Sequence, residues 1–277
     1  NWLVAKAASG YVETIRNLPL LLQLLFWYNA VLKALPAIRE SFVVPGGIYL
    51  NNRGLFIPHP IFQGGFGFVL IALLIGFVAT IVYYVRARRK QERTGEQAPV
   101  FWVGLVLVIG LPLIVFAFAG FPLAFDYPKA NRFNIAGGIE VLPEFAALLF
   151  GLTIYTAAFI AEVVRAGISA VSRGQTEAAY SLGMKPGPTL RLIVVPQAMR
   201  VIIPPLTSQY LNLTKNSSLA VAIGYPDLVQ VFTGTVLNNT GQAVEVVAIT
   251  MAVYLTISLV TSFGMNIYNS RIALVER

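Results

Sequence analysis

Long apolar runs separated by short polar stretches dominate this chain. Five stretches contain no Asp, Glu, Lys or Arg: 17–32, 54–85, 97–125, 145–161 and 246–270. A helix needs about 20 mainly apolar residues to cross a bilayer. The runs at 18–35, 68–85, 100–120, 143–164, 201–222 and 245–268 therefore predict about six crossings. They are too long for barrel strands and do not alternate strictly, and backbone polar groups in lipid need partners within the protein. The expected fold is an all-α integral membrane bundle, read as a single transmembrane domain over residues 1–277. Pro112 predicts a kink in the third run. Glu162 and Arg165 mark the end of the fourth. Pro204-Pro205 fits the start of the fifth, and Gly224-Tyr225-Pro226 its end. Residues 1–16 are mixed, with Lys6 and Arg16, and predict an interfacial helix. Residues 36–67 and 121–142 hold Pro, Gly and Asn and read as connections.

Composition supports the same class. The chain is 57% hydrophobic and 12% charged, against about 25% charged in soluble domains. A large soluble core is excluded on that ground. The net charge of +8 raises the question of nucleic acid, but its distribution follows membrane topology. Lys and Arg favour the cytoplasmic side. With Arg16 inside, 36–67 falls outside, Arg86–Arg93 inside, 121–142 outside, Arg165–Arg200 inside, 224–244 outside and Arg271–Arg277 inside. Every basic cluster lands on one side, although Lys129 and Arg132, like the isolated Arg39 and Arg53, fall on the other. No nucleic-acid partner is expected, and the C-terminus is expected in the cytoplasm. With no cysteine, and His59 alone between Pro58 and Pro60, neither a metal site nor a histidine base is expected. The chain begins at Asn1 without a recognisable signal peptide. A further segment of the native protein is expected to precede it.

One polar island, residues 166–200, is unusually ordered. Ser172 and Gln175 have the spacing of a capping box. Glu177-Ala178-Ala179 favours helix, and Gly183 suits the left-handed residue that ends one. Pro186 and Pro188 then redirect the chain, Pro188 fitting the first turn of the next helix. This predicts a short helix, a turn and a second helix running into the membrane. Ala178 and Ala179 are small enough for a partner to approach the backbone closely, and Glu177 can pair with a basic partner residue or cap locally. By spacing alone, an ordinary cytoplasmic loop explains the segment equally well.

The full pattern, Glu177-Ala178-Ala179, Gly183, Ile193, Val195 and Pro196, resembles the EAA loop of ABC importer permeases. It departs only at Val195, where that family often has Leu. Three more segments resemble the polar amino-acid type of this family. They are Tyr11 to Gln23 (with Leu18 for the usual Thr), Tyr155 to Gly167, and Lys215-Asn216-Ser217-Ser218-Leu219. The hairpin expected over residues 68–120 is an addition to the compact permease. It resembles the extension in the larger permeases of proteobacterial general L-amino-acid importers.

The resemblance implies a type I ABC importer transmembrane domain in the bacterial inner membrane. It implies that Glu177, Ala178, Ala179, Gly183, Ile193 and Pro196 couple to a dimer of ATP-binding cassette ATPases. ATP and Mg would be held by those partners, with no cofactor on this chain. A second permease, expected to be a different chain, and a periplasmic amino-acid-binding protein complete the implied assembly. The chain itself has no G-x-x-x-x-G-K-[ST] phosphate loop. It is therefore not expected to be an enzyme.

Several side chains near the membrane have two readings. Glu162 and Arg165, three apart, share a helix face and form either an interfacial pair or a gate contact with the second permease. Lys215 interrupts an apolar segment, so it snorkels or pairs structurally, or else binds a substrate carboxylate. Ser217 and Ser218 supply hydroxyls to a polar path or hydrogen-bond between helices. Tyr155 and Phe159, four apart, line the same path or pack. Asn216 replaces the Asp common in the family, which argues against strict Lys or Arg cargo. An ion-coupled secondary transporter is the alternative function. It would keep midplane acidic residues for its coupling ion, whereas Asp and Glu here fall largely in loops and at helix ends. A membrane scaffold would need neither the island nor the Lys215 segment.

Overall fold

A computed structural model describes residues 2–131 and 134–272. Asn1, Arg132 and the side chains of the Arg271–Arg277 cluster lie outside the described residues. The helices in chain order are α1 (Trp2–Asn17), α2 (Leu20–Leu32), α3 (Phe66–Thr94), α4 (Val100–Phe118), α5 (Pro143–Ser169), α6 (Arg173–Ser181), α7 (Pro186–Ile223), α8 (228–240) and α9 (Ala243–Ile272). Of these, α3, α4, α5, α7 and α9 are long and apolar enough to cross a membrane, and α2 is a shorter apolar helix. Short strands occupy the connections: β1 (Phe42–Val44), β2 (Ile48–Asn51), β3 (Gly54–Ile57), β4 (His59–Phe62), β5 (Leu123–Asp126), β6 (Lys129–Ala130), β7 (Ile135–Ala136) and β8 (Ile139–Val141). Two compact units result, one of residues 1–37, 51–54 and 141–277, the other of 38–50 and 55–140.

The first unit is built around α5 and α7. Lipid offers no hydrophobic drive for helices to associate, so close approach through small residues takes its place. A Cβ at Gly167 would overlap Ile202, and one at Gly151 would overlap Leu24. Ala147, Leu148, Leu20, Leu24, Leu32, Ala220 and Ile223 form the buried core. This packing explains why α5 runs to Ser169 rather than ending near Arg165: its last turns carry Gly167 onto α7. It also shows α7 as one helix from Pro186 to Ile223, with Pro204 and Pro205 inside it and not at a start. Membrane helices tolerate such prolines because neighbouring groups re-satisfy the freed carbonyls. A π-helical turn, Leu190–Val194, precedes Pro196, whose missing N–H breaks the regular ladder.

The first apolar run is helical only over Leu20–Leu32, because Lys33 N–H donates to Tyr28 O at 2.9 Å and Pro36 follows. The side chain of Gln23 fixes the join to α1, donating to Ile15 O (2.9 Å) and Leu18 O (3.0 Å). Tyr11 Oη donates to Ile154 O at 2.6 Å and ties α1 to α5.

The second unit holds the helical hairpin α3–α4. Gly76 sits against the Leu107 carbonyl with no room for a side chain. A π-helical turn, Val106–Gly110, precedes Pro112, so the third run remains continuous helix through that proline. The helix α3 does not stop at Arg86 but continues to Thr94. Arg, Lys, Gln and Glu are strong helix formers, and Gly95, at φ +74°, closes the helix by donating to Gln91 O. The connections hold more order than loops. Strands run β1-β2-β3-β8 in one sheet, and β4 pairs antiparallel with β5 in the register His59↔Asp126 to Phe62↔Leu123. That pairing requires residues 59–62 and 123–126 on the same side of the membrane, as the charge alternation predicts.

Candidate functional site

A cleft of about 210 Å³ opens between α5 and α7. Tyr155, Thr156 and Phe159 come from α5, and Gln209, Asn212, Leu213 and Asn216 from α7. The helical period produces this wall: 155 and 159, and 209, 212 and 216, recur every three or four residues. Its polar groups are three amides, one hydroxyl and a phenol, with no charge. An amide both donates and accepts, so the wall suits a dipolar solute. Tyr155 and Phe159 meet with ring centroids 4.8 Å apart, so they pack together and line the cleft at once. Gln209 and Asn212 are absent from the sequence expectation, although their three-residue spacing in an apolar run is a visible signal.

Three expected path residues do not line this cleft. Lys215 is exposed and has no carboxylate at ion-pair distance among the described residues. Ser217 Oγ donates to Thr214 O (2.7 Å) and Ser218 Oγ to Lys215 O (2.6 Å). Both hydroxyls thus serve their own helix where α7 tightens into a 3₁₀ turn over Ser217–Ile223. Among the described residues no group of His, Asp and Glu side chains is arranged to hold a metal ion.

Beyond the cleft, toward the polar island, lies a charged chain. Glu162 accepts two hydrogen bonds from Arg165, Nε–Oε2 at 3.0 Å and Nη2–Oε1 at 2.5 Å. Arg16 on α1 approaches the same carboxylate at 3.9 Å, and its guanidinium lies 5.2 Å from the Phe159 ring centre. The Glu162–Arg165 pair is therefore part of a chain that reaches a wall of the cleft. These groups also line a groove of about 620 Å³ between α1 and α5.

The polar island folds as helix, turn, helix. Ser172 stands at the N-cap of α6 with extended backbone, but its hydroxyl makes no capping bond. The expected capping box is absent because Gln175 Oε1 instead accepts from Gln197 Nε2 of α7 at 3.3 Å. Gly183, at φ +76°, closes α6 with two bonds, Gly183 N to Tyr180 O (2.9 Å) and Met184 N to Ala179 O (3.1 Å). This is the Schellman pattern. Glu177 and Ala178 face solvent, whereas Ala179 is buried at 1% exposure. The expectation that both alanines meet a partner is corrected at Ala179, which packs inward. Leu182, missed in the sequence, is 82% exposed at the apex. An apolar residue between Ser181 and the helix-ending glycine was its signal. Ile193 is half-buried and Pro196 exposed on α7.

A multi-pass helical membrane protein with an uncharged polar cleft between spans, and a folded helix-turn-helix island leading into one of them, has the build of a permease. The family model described as "binding-protein-dependent transport system inner membrane component" matches residues 97–274. The chain belongs to that family. It is 55% identical over 277 residues to a general L-amino acid transport system permease protein of Rhizobium johnstonii, covering all of this chain and 69% of that protein. It is 43% identical over 309 aligned residues to a glutamate/glutamine/aspartate/asparagine transport system permease protein of Rhodobacter capsulatus, covering all of this chain and 72% of that one. A crystal structure of an amino acid ABC transporter with histidines aligns at TM-score 0.44 and 25% identity, over 74% of this chain and 89% of that chain.

Proposed function

We propose that this chain is the permease subunit of an ATP-driven, binding-protein-dependent amino-acid importer. The observation that carries the reading is the continuity of α7. One helix bears both the exposed end of the polar island and the amides Gln209, Asn212 and Asn216 of the cleft. A push on the island is thereby a displacement at the cleft. Glu177, Ala178, Leu182 and Gly183 present the island to the ATPase, with Ile193 and Pro196 linking it to the span. Ala179 holds α6 in place from within.

In this reading a pair of ATPase subunits holds ATP and Mg, and this chain binds no cofactor. A second permease, a different chain, faces the open cleft, and a periplasmic amino-acid-binding protein delivers cargo from the opposite side. Closure of the ATPases moves α7 and switches the cleft between outward and inward access. Cargo must bind the two states unequally for the cycle to couple. The uncharged wall supports a broad range of dipolar amino acids rather than strictly cationic ones. Arg16, Glu162 and Arg165 form a charged contact that changes partners between states. The island and the C-terminus face the cytoplasm.

Labelled amino-acid uptake into vesicles carrying the reconstituted assembly tests the proposal. ATP inside the vesicle population is expected to drive uptake, and an ion gradient alone is not. Uptake driven by an ion gradient with no ATPase bound overturns it.

A further inference from the structure

We propose that the basic end of α3 is a binding site for an anionic phospholipid. The inference rests on the multi-pass membrane fold and not on transport. Residues 86–94 continue α3 as helix past its last apolar turn. Five basic side chains lie there, Arg86, Arg88, Arg89, Lys90 and Arg93, and the helix sorts them. Arg88 pairs with Glu92 at 3.4 Å, and Lys90 with Glu96 at 2.7 Å. Arg86, Arg89 and Arg93 have no carboxylate at ion-pair distance among the described residues and are all exposed. Their spacing, three and then four, puts them on one stripe of the helix.

That stripe does not begin at Arg86. Stepping back along α3 by four, three or four residues gives Val82, Val78, Ile75 and Ile71, exposed at 44%, 58%, 56% and 53%. The face packed on α4 is a different one, marked by Ala72, Gly76 and Ala87. One outward face thus reads aliphatic for three turns and then carries three uncompensated guanidiniums. Guanidinium binds phosphate oxygens in paired hydrogen bonds, and aliphatic surface at this depth meets acyl chain. The occupant that matches both ends is a phospholipid with net negative charge. A bias of Lys and Arg toward one side of the membrane explains the number of basic residues. It does not explain why the unpaired ones share the apolar face.

The test uses the purified full-length chain in detergent, with retained phosphatidylglycerol and phosphatidylcholine compared by native mass spectrometry. The wild type is expected to prefer phosphatidylglycerol roughly fivefold or more, and added salt is expected to weaken that preference. The variant R86Q/R89Q/R93Q is expected to lose most of it, while R88Q/K90Q, which removes already paired charges, keeps it. Soluble glycerol phosphate is expected to compete poorly, since it has no acyl chain. Absence of preference in the wild type, equal loss in both variants, indifference to salt, or full competition by glycerol phosphate each overturns the proposal. The wild-type salt titration stands even if the triple variant fails to fold.

Discussion

The cleft-forming spans α5 and α7 are built on different terms from the hairpin spans α3 and α4, whereas α9, also in the first unit, is only 11% buried. In α5 and α7, 33% and 28% of the span is buried, while in α3 and α4 the figures are 17% and 11%. The first pair carries Tyr155, Thr156, Gln209, Asn212 and Asn216 between apolar turns, and its own neighbours cover its small residues. The second pair holds one close seam, Gly76 on the Leu107 carbonyl, and otherwise turns large aliphatic and aromatic side chains outward. Polar groups are costly in lipid unless a cavity or partner receives them. The cleft therefore belongs with α5 and α7, and the hairpin leaves most of its large apolar side chains exposed.

The strongest way to break this contrast is a matched pair of glycine substitutions. Gly167→Leu forces a side chain into Ile202, an overpacking of about 1–3 kcal/mol or more. It should abolish uptake and leave little monodisperse protein on size-exclusion chromatography. Gly76→Leu opens the hairpin seam with a clash against the Leu107 backbone that is at least as severe, yet should retain more than about half of wild-type uptake, since no cleft residue lies there. Equal losses would erase the distinction.

A smaller effect is expected at the island. Glu177→Lys and Gly183→Pro should lower ATPase co-purification and uptake roughly tenfold, about 1.4 kcal/mol of docking. Gly183→Ala should act more weakly, because a Cβ there meets open space and costs only the left-handed backbone, about 1–2 kcal/mol. Within the cleft, the double change Gln209→Leu with Asn212→Leu should cut uptake about fivefold while ATPase association stays intact, as expected from losing hydrogen bonds of about 0.5–1.5 kcal/mol each. Lys215→Met should stay within about twofold, since the residue lies outside the cleft wall.

The mildest case is Tyr11→Phe, which loses one bond to Ile154 O at a cost of about 1 kcal/mol or less, read by thermal unfolding in detergent. Burial raises the Tyr11 phenol pKa above its ordinary value of 10.0. The neutral donor is then the favoured folded form. Its contribution is fully present below pH 10 and is lost as pH rises through the raised folded value. The difference between wild type and variant should therefore be flat from about pH 6 to 9 and shrink only above that.

Much of this was legible along the chain because lipid enforces a simple code. Runs without charge marked the long spans, Gly183 and Gly224 marked the ends they in fact occupy, and Pro188 falls in the first turn of α7, which begins two residues earlier at Pro186. Less legible were features decided by packing between distant segments. The capping box failed because Gln175 found Gln197, 22 residues away. Ala179 turned inward because the narrow Thr176–Ala179 side of α6 is the part packed against the chain, a contact with distant residues, while the rest of that helix stays exposed. Pro204 and Pro205 read as a start because proline usually is one, but a membrane helix carries them inside. In 36–67 and 121–142, β1–β2 and β6–β7 pair locally, whereas β4–β5 depends on pairing across more than 60 residues, His59 with Asp126, which no local pattern announces. In the cleft, Tyr155, Phe159 and Asn216 were marked by motif, while Gln209 and Asn212 lay outside the matched motifs, marked only by their three-residue spacing in an apolar run.

The central claim is that α7 carries movement from the island to the cleft. The chain has no cysteine, so Asn212→Cys creates a single thiol in the cleft wall that can be followed by mass. Its modification rate should change severalfold when the assembled transporter is trapped with nucleotide, and that change should vanish when Glu177→Lys is added. A rate that is the same with and without nucleotide, or a nucleotide response that survives Glu177→Lys, would contradict the account.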